Sequence, residues 1–378
     1  MAYRIGIDAR KLGDFGIGTY IQNLIRSLAK LDQENDYFLF VGPSADGSLV
    51  DLPDNFHLVT ERSPVYSVRE LVALSWRLLR LRLDLYHATH YVLPSLVPCK
   101  AVVTIHDIIH LLYPEFLPNR LAFFYAQRMI RRSLSRGDRI ITHSLHTKSD
   151  LLAHFDVSGD KLEVIHLGVA DRYRHELPPE RIDHTLAELG IKRPYLLFVG
   201  NPKPHKNLDN VVKAFARALQ IKDFEGSLVC VGGRDSAQFK TLQRAEQLGI
   251  EDRVQLKGHV SEEVLPAIYQ GASLFLYPTL YEGFGLPVIE AMASSVPVIT
   301  SNSSALQEVA EGYADLVNPL DVEEIARSIA HAMTDEAHRK SLADLGRKRA
   351  AEFRWERTAQ QTLNTYLQAI TAGNSRKA

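Results

Sequence analysis

The chain has 378 residues, of which 46% are hydrophobic and 24% charged, a composition typical of a soluble globular enzyme with about two domains. Its formal net charge of -1 gives no bulk attraction to nucleic acid, so we expect no nucleic-acid partner. Two distant cysteines, Cys99 and Cys230, lack metal-site spacing and favour a reducing, cytoplasmic setting. The sequence opens in a strand and has no long apolar run, so we expect neither a signal peptide nor a membrane-spanning helix.

Short apolar strands alternate with amphipathic helices, which predicts an α/β architecture with two parallel sheets. The strands predicted in the first half are Arg4–Asp8, Tyr37–Val41, Leu83–His87, Ala101–Ile105, Arg139–Thr142 and Leu162–Ile165. Those predicted in the second half are Tyr195–Val199, Ser227–Val231, Val254–Leu256, Leu274–Tyr277 and Val298–Thr300. Between the halves, Glu176–Glu180 contains two prolines and is interpreted as a linker. Ligands of such sheets bind beyond the carboxyl ends of the strands, so two facing sheets would place the site in a cleft between them.

The loop after the first strand contains Gly13, Gly16 and Gly18 ahead of a predicted helix, Tyr20–Leu31. Glycines allow backbone N–H groups to approach a phosphate closely. The dinucleotide-binding fingerprint is absent, because Ile21 stands where a third glycine is required, and this disfavours a nicotinamide enzyme. A tight turn between strand and helix remains the alternative interpretation of this loop.

Several strands of the first half end in or near histidine, namely at His87, His90, His106, His143 and His166. Most of these are expected to be structural or to line a pocket, because polar residues at strand ends often cap the next turn. We select His106 as the catalytic candidate. One histidine per strand, without a closely spaced pair, argues against zinc, and we expect no metal.

A lysine-containing loop, Gly200–Leu208, follows the first strand of the second half. Its two prolines stiffen the loop, and a helix beginning near Leu208 would direct Lys206 toward the cleft. A fixed cation there could neutralise a leaving diphosphate. An exposed lysine near a helix start is the alternative.

The run Glu282–Glu290 places two acids eight residues apart across a glycine-rich turn. A strand is predicted before it, at Leu274–Tyr277, and a helix after it, at Val288–Ser294, with Pro287 at the first helical position. The start of a helix offers N–H groups and a positive dipole end to an anion. Two acids flanking a diphosphate suggest a sugar nucleotide, whereas solvated glutamates on an ordinary turn are the alternative.

Together these segments resemble family 4 of the retaining nucleotide-sugar glycosyltransferases over nearly the whole chain. The most specific motif is residues 282–293, and the supporting ones are Gly16–Gly18, Ile105–Asp107, Lys206–Leu208, Gly258–Val260, Val296–Ile299, Glu308–Val309 and Phe353–Glu356. The run Thr104–Ile109 with Tyr113–Glu115 is most similar to bacterial mannosyltransferases of surface polysaccharide synthesis.

The resemblance implies the GT-B fold, in which two Rossmann-like domains with parallel sheets face a central cleft. Residues 1–178 would form an acceptor-side domain and residues 179–354 a domain that binds the nucleotide sugar. Residues 355–378 would form a helix that crosses back to the first domain.

The resemblance also implies roles for individual residues. Glu290 would bind the ribose hydroxyls, Glu282 the donor sugar, and Lys206 the diphosphate leaving group, while His106 would sit at the reacting face of the sugar. Other donor-binding candidates are Gly16, Gly18, Lys203, Gly258, His259, Val260, Phe284, Gly285 and Leu286. Candidates on the acceptor side are Asp14, His87, His90 and His143.

One position departs from the family pattern, because Asn201 stands where an arginine usually follows the glycine. Lys203 could supply the missing charge, although lysine lacks the bidentate fork of arginine. This departure puts donor affinity in question more than it does the type of reaction.

The expected activity is hexosyl transfer with retention from a nucleoside diphosphate sugar, without metal or cofactor. Mannose from GDP-mannose is the preferred donor, and the acceptor is a hydroxyl of a saccharide or lipid-linked molecule in polysaccharide, lipopolysaccharide or glycolipid synthesis. We prefer front-face attack assisted by the leaving phosphate. A non-catalytic sugar-nucleotide-binding subunit and another GT-B enzyme, such as a sugar-nucleotide epimerase, are the alternatives.

Residues 62–139 form a basic sector, with twelve lysines and arginines against five acids. Two predicted helices there, Val68–Leu83 and Leu121–Leu134, combine arginines with large apolar side chains, as helices on anionic lipid do. We therefore expect a cytoplasmic protein that can associate with the inner face of the membrane. Ordinary amphipathic packing is the alternative.

Overall fold

The computed structural model describes residues 2–43, 49, 51–117, 119–233 and 235–372. The chain divides into two compact units, one formed by Met1–Gly168 with Arg354–Ala378 and the other by Val169–Phe353. We call these unit 1 and unit 2. The boundary between them falls at Gly168 and Val169, earlier than the predicted boundary at residue 178.

The described part of unit 1 contains a parallel sheet of seven strands in the order β3-β2-β1-β4-β5-β6-β7. The strands are β1 (Arg4–Asp8), β2 (Asp36–Val41), β3 (Phe56–Thr60), β4 (Leu85–Ala88), β5 (Lys100–Thr104), β6 (Arg139–Thr142) and β7 (Leu162–Val164). Six of them overlap the predicted strands, and β3 was not predicted.

The α-helices described in unit 1 are α1 (Phe15–Leu31), α2 (Val68–Leu81), α3 (Ile109–Leu112), α4 (Arg120–Arg136), α5 (Leu145–His154) and, at the far end of the chain, α14 (Trp355–Thr371). Helix α1 begins five residues before its predicted start at Tyr20, so Gly16 and Gly18 lie within its first turn. Helix α14 packs on α1 and β5 of unit 1.

The described part of unit 2 contains a parallel sheet of six strands in the order β10-β9-β8-β11-β12-β13. The strands are β8 (Tyr195–Val199), β9 (Ser227–Val231), β10 (Val254–Leu256), β11 (Leu274–Tyr277), β12 (Val298–Ser301) and β13 (Asp315–Val317). The two sheets confirm the predicted α/β architecture, while β13 was not predicted.

The α-helices described in unit 2 are α6 (Pro179–Glu188), α7 (Leu208–Ile221), α8 (Asp235–Gln247), α9 (Leu265–Gln270), α10 (Leu286–Ala293), α11 (Ser304–Ala310), α12 (Val322–Thr334) and α13 (Glu336–Ala350). The predicted linker Glu176–Glu180 runs into α6, which begins at Pro179. Proline suits that position because its missing N–H would have no intrahelical partner there.

The central strands β8 and β11 are apolar throughout and almost wholly buried, as expected of parallel strands covered on both faces. Their carboxyl ends are neighbours in the sheet of unit 2. The loop before α7 and the turn before α10 therefore leave the same edge of this sheet. None of the described helices has the length and apolar character that crossing a bilayer requires.

Candidate active site

The lysine loop of unit 2 is tied to the end of β11 by hydrogen bonds. Pro204–Lys206 forms a single 3₁₀ turn, and Asn207 then adopts a left-handed conformation with φ of 60°. The Asn207 side-chain amide donates to the carbonyls of Pro278 (2.9 Å) and Pro319 (2.6 Å). The Leu280 N–H donates to the His205 carbonyl at 2.8 Å. These contacts hold Lys206 beside the turn that follows β11.

Lys206 and Glu282, predicted from separate motifs, are in direct contact. The ammonium of Lys206 donates to Glu282 Oε1 and to the Tyr277 hydroxyl, each at 2.7 Å. Burial alone would lower the pKa of Lys206, but the neighbouring Glu282 carboxylate and Tyr277 raise it above the ordinary value. Lys206 is therefore a permanent cation at this site.

The turn between β11 and α10 depends on Gly285. This residue has φ of 103°, in the left-handed region, and a Cβ there would collide with the Leu306 side chain. Helix α10 starts at Leu286, so Pro287 is its second residue and not its first. The buried ring of Phe284 packs edge-on against Phe353, with centroids 5.5 Å apart. The start of α10, with the positive end of its dipole, lies four residues after Glu282.

Glu290 lies on α10, where its Oε2 accepts a hydrogen bond from the Tyr269 hydroxyl at 3.1 Å. Burial raises the pKa of Glu290 to about 7, and the charge of Glu262 acts in the same direction. Glu290 can therefore change its charge near neutral pH. Ionised, its carboxylate accepts hydrogen bonds only, which suits a pair of hydroxyl donors.

Three loops at this edge of unit 2 meet through their backbones. The Gly232 N–H donates to the Gly258 carbonyl at 2.6 Å, and a Cβ at Gly232 would lie 2.7 Å from the Gly200 carbonyl oxygen. His259 is exposed and Val260 half-buried beside this contact. The Gly258–Val260 turn is therefore held next to the start of the lysine loop.

Asn201 and Lys203 lie on that same loop. Asn201 is half-buried, and its carbonyl accepts a hydrogen bond from the Lys203 N–H at 2.7 Å. The Lys203 side chain is exposed. The charge of Lys203, which could replace that of the usual arginine, is therefore exposed to solvent, whereas the charge of Lys206 is largely buried.

In unit 1, His106 and His143 contact each other. His106 Nδ1 lies 3.1 Å from His143 Nε2, and His106 Nε2 lies 2.9 Å from the Thr89 carbonyl oxygen. The Tyr20 ring packs against both imidazoles. Burial lowers the pKa of His106 to about 4 and that of His143 well below the ordinary value. Both rings are therefore neutral at pH 7.

His87 lies within β4, fully buried, rather than beyond its end. Its two ring nitrogens contact the Tyr366 hydroxyl (2.6 Å) and the Thr104 hydroxyl (2.8 Å). Burial lowers the pKa of His87 to about 3. His87 thus links the sheet to α14 through neutral hydrogen bonds.

His90 belongs to a buried charged cluster with Asp8, Arg10 and Glu70. The Arg10 guanidinium donates to both Asp8 oxygens (2.8 and 2.5 Å) and to Glu70 Oε1 (2.6 Å). Among the described residues, neither nitrogen of His90 has a hydrogen-bond partner. Ligand atoms of Asp8, Glu70 and His90 lie within 4.8 Å of one another, as in a metal site. Arg10 already supplies a positive charge between the two carboxylates, so this geometry is explained without a metal.

Asp14 precedes the first turn of α1, and its backbone carbonyl accepts a hydrogen bond from the Gly18 N–H. Its carboxylate pairs with Lys11. A Cβ at Gly18 would collide with the Leu12 carbonyl oxygen, whereas one at Gly16 would meet no atom within 4 Å. Gly18 is therefore required by packing in unit 1, and Gly16 faces open space.

The sequence motifs did not identify Tyr277, Tyr269, Asp8, Arg10 or Glu70. The two tyrosines bond the predicted residues Lys206 and Glu290. A signal for Tyr277 existed, because it closes a predicted strand next to the acidic turn. Glu70 is 60 residues from Arg10 in sequence, and no local pattern connects them.

Comparison with known proteins identifies the chain. The family model described as Glycosyltransferase Family 4 matches residues 16–172, and that described as Glycosyl transferases group 1 matches residues 183–349. The O-antigen chain mannosyltransferase B of Escherichia coli is 28% identical over 369 residues, which cover 93% of this chain and 95% of that protein. The O-antigen chain mannosyltransferase RfbU of Salmonella typhimurium is 27% identical over 334 residues, covering 83% and 87%.

Among solved structures, the sucrose-phosphate synthase of Thermosynechococcus elongatus matches with a TM-score of 0.81 and 22% identity, over 98% of this chain and 100% of that one. At this identity the match bears on the fold alone. The two family models together span most of both units, and each unit has the expected parallel sheet. The chain belongs to glycosyltransferase family 4 and is a glycosyltransferase with the GT-B fold.

Proposed function

We propose that the protein transfers a hexosyl group, with retention and without a metal, from a nucleoside diphosphate sugar to a hydroxyl acceptor. The proposed donor is GDP-mannose. The proposed acceptor is a saccharide or a lipid-linked saccharide in polysaccharide, lipopolysaccharide or glycolipid synthesis. The two O-antigen mannosyltransferases that align with more than four fifths of the chain support this choice.

The observation that carries the proposal is the contact between Lys206 and Glu282 directly before α10. A departing diphosphate needs positive charge and N–H dipoles that are fixed in advance, more than it needs an acid. Lys206 supplies the charge and the start of α10 supplies the dipoles. We propose that the diphosphate takes over part of the Lys206 ammonium, and that Glu282 then binds hydroxyls of the donor sugar.

Glu290 is assigned to the ribose because it lies on α10, about one turn beyond the start of the helix. Its carboxylate can accept both ribose hydroxyls when it is ionised. The turn Gly258–Val260 is assigned to the base, and Lys203 to the outer diphosphate oxygens. No cofactor is assigned.

We propose that retention proceeds without a covalent intermediate on Glu282. Its carboxylate is already held by Lys206, which reduces its nucleophilicity, and a retaining hydrolase would require a second catalytic carboxyl about 5–5.5 Å away. In the proposed step, the acceptor oxygen bonds the anomeric carbon on the face that the phosphate leaves. The acceptor proton passes to the leaving phosphate oxygen, so the step needs no separate base.

In unit 1, His106 is proposed to contact the hydroxyls of a reacting sugar, because it is the least buried member of its histidine network. Asp14 and Gly16, at the exposed start of α1, are further candidates for substrate contact. His87, His90 and His143 are buried, and we assign them structural or positioning roles.

The test is a donor screen by mass spectrometry and thermal shift, with GDP-mannose, GDP-fucose, UDP-glucose and UDP-galactose. Stabilisation and turnover by one donor are expected, together with their loss in Lys206→Ala and Glu290→Ala. Lys213→Ala is the matched control, because Lys213 forms a surface ion pair with Asp209 on α7. Full turnover in Lys206→Ala would refute the site. An inverted product anomer by NMR, or loss of turnover in EDTA, would refute retention or metal independence respectively.

We also propose that unit 1 binds anionic lipid, which would place the enzyme at the inner, cytoplasmic face of the membrane. On α2, exposed Val72, Trp76 and Leu79 share a helix face with Arg69 and Arg80. The Arg80 guanidinium stacks on the Trp76 ring at 3.4 Å. Exposed apolar rings beside arginines are suited to the boundary between lipid headgroups and acyl chains.

Helix α4 presents a similar face, with exposed Phe124 between Arg120 and Arg128 at four-residue spacing. Both helices contact the same segment of unit 1, because Ser95 donates to a carbonyl on α2 and accepts from Arg132 on α4. We therefore treat α2 and α4 as one surface.

Sedimentation with vesicles tests this surface. Binding is expected to phosphatidylethanolamine–phosphatidylglycerol vesicles at low salt and not to phosphatidylcholine. It should fall at least several-fold in a Trp76→Ser, Phe124→Ser double variant, but not in Leu58→Ser, an equally exposed control on β3. Equal binding by the double variant would contradict the proposal.

A further inference from the structure

Two histidines of unit 1 form a chain of three short contacts that ends in a backbone carbonyl on each side. His106 Nε2 lies 2.9 Å from the Thr89 carbonyl oxygen, and His143 Nδ1 lies 3.0 Å from that of Ile165. Between the rings, His106 Nδ1 and His143 Nε2 are 3.1 Å apart. A carbonyl oxygen only accepts, so each outer contact needs a ring N–H, and the central contact needs a third proton.

Two neutral imidazoles carry one N–H each and can satisfy two of these three contacts. A third proton would make one ring a cation. Burial opposes this, because it lowers the pKa of His106 to about 4 and that of His143 well below the ordinary value. At neutral pH one of the three contacts therefore has no proton.

Burial also decides which of the three contacts lacks a proton. His143 is 1% exposed, so water cannot replace a partner that its Nδ1 loses, and leaving a buried polar atom unsatisfied is costly. His106 is only half-buried, so solvent or a ligand reaches this residue more readily than it reaches His143. The lowest-energy neutral arrangement keeps both nitrogens of His143 satisfied and leaves the lone pair on His106 Nε2.

We infer that His143 is a positioning residue that holds His106 as its Nδ1–H tautomer, leaving Nε2 as the acceptor for a substrate hydroxyl. In this arrangement His106 Nδ1–H donates to His143 Nε2, and His143 Nδ1–H donates to the Ile165 carbonyl. The Tyr20 ring packs against both imidazoles and helps to hold their orientation. Its centroid lies 5.3 Å from that of His106 and 4.8 Å from that of His143.

The Nε2 lone pair then faces the Thr89 carbonyl, an unfavourable contact that a hydroxyl donor would relieve. His106 is thereby prepared to accept from a sugar rather than to donate to it. The functional meaning rests on the role proposed for His106, whereas the tautomer is a property of the ligand-free protein. The two can therefore fail separately.

The experiment is long-range ¹H–¹⁵N NMR of the full-length, ¹⁵N-histidine-labelled protein at pH 7.5, with a His106→Asn variant for assignment. We expect His106 to be protonated at Nδ1 alone. His143→Gln should keep this tautomer, because the glutamine carbonyl can accept from Nδ1–H. His143→Phe offers no acceptor and should switch His106 to the Nε2–H tautomer, which donates to Thr89. The signals of His87 should be unchanged in both.

A wild-type His106 that is protonated at Nε2, or at both nitrogens, would overturn the inference. So would a His143→Phe variant that keeps the Nδ1–H tautomer. If that variant does not fold, the wild-type and His143→Gln spectra still decide. Once the donor is known, His143→Phe should lower kcat/KM about tenfold or more, the loss expected for one hydrogen bond to a neutral group, and His143→Gln should recover most of it.

Discussion

The Tyr269 hydroxyl donates a 3.1 Å hydrogen bond to Glu290 Oε2. This bond favours the ionised carboxylate, but burial outweighs it and raises the pKa of Glu290 to about 7. The proposed partner of this carboxylate is the pair of ribose hydroxyls. An ionised carboxylate can accept a hydrogen bond from each hydroxyl. The charge of Glu290 should therefore control how tightly the donor binds.

The first prediction concerns the pH dependence of donor binding. Below pH 7 Glu290 is mostly protonated, so the Kd for the donor should fall as pH rises from 6 to 8, by up to about tenfold per pH unit below the pKa. Glu290→Gln should remove this dependence and weaken binding at pH 8 by about 10- to 100-fold. Titration calorimetry with GDP-mannose measures both effects. Glu323→Gln, at an exposed ion pair with Arg217, is the control. A pH dependence that persists in Glu290→Gln would exclude Glu290 as its source.

The second prediction concerns the coupling of Lys206 and Glu282. Lys206→Met leaves a largely buried carboxylate without its cation and should destabilise the protein by about 1–3 kcal/mol. Adding Glu282→Gln should restore part of this loss, because the uncompensated charge is gone. Urea unfolding of the two single variants and the double variant gives the coupling energy. Activity should fall by about 10²–10³-fold in Lys206→Met, since the diphosphate loses its fixed cation. Strictly additive stability changes would show that the contact is not formed in solution.

The third prediction concerns the turn before α10. Gly285→Ala places a side chain at φ of 103° and against Leu306. Backbone strain alone costs about 1–3 kcal/mol, and the collision with Leu306 should make the total destabilisation larger. Gly312→Ala separates the two effects, because Gly312 has φ of 80° with no atom within 4 Å of an added Cβ. In thermal unfolding, the Tm of Gly285→Ala should lie well below the Tm of Gly312→Ala. Equal losses would mean that Leu306 moves aside easily.

Sequence reasoning placed the central strands well because their apolar runs are complete, as at β8 and β11. It missed β3 and β13, which lie at the edges of the two sheets. Most of β3 is exposed and β13 has three residues, so neither shows a strong apolar pattern. The start of α1 was also missed, since Gly16 and Gly18 are poor helix formers whose helical state depends on tertiary packing.

The candidate site shows the same division. Lys206 and Glu282 were each predicted as site residues that follow strands of one parallel sheet, but their direct contact was not predicted. Tyr277, which contacts Lys206, was not predicted as a site residue, because it lies in an apolar strand whose residues are expected to be part of the core. The tautomer inferred for His106 depends on His143 and two backbone carbonyls, which are far apart in sequence and come together only in the folded chain.

The fourth prediction concerns the buried cluster around Arg10 in unit 1. Burial alone would raise the pKa of Asp8, but the Arg10 charge and hydrogen bonds lower it to about 2. A carboxylate with a lowered pKa stabilises the folded state fully above its ordinary value of 3.8, and this contribution is lost as pH falls toward 2. Arg10→Met removes the shared cation from Asp8 and Glu70 and should cost about 3–5 kcal/mol at pH 7.

This penalty should shrink as pH falls from 7 toward 4. Without Arg10, protonation of the buried Asp8 removes its uncompensated charge, whereas in the native protein Asp8 remains ionised over this range. Urea unfolding of both proteins at pH 7, 5.5 and 4.5 measures the difference. Arg217→Met is the matched control, because its exposed pair with Glu323 should contribute about 0–1 kcal/mol at every pH. A penalty for Arg10→Met that is independent of pH would assign the loss to packing of the side chain rather than to its charge.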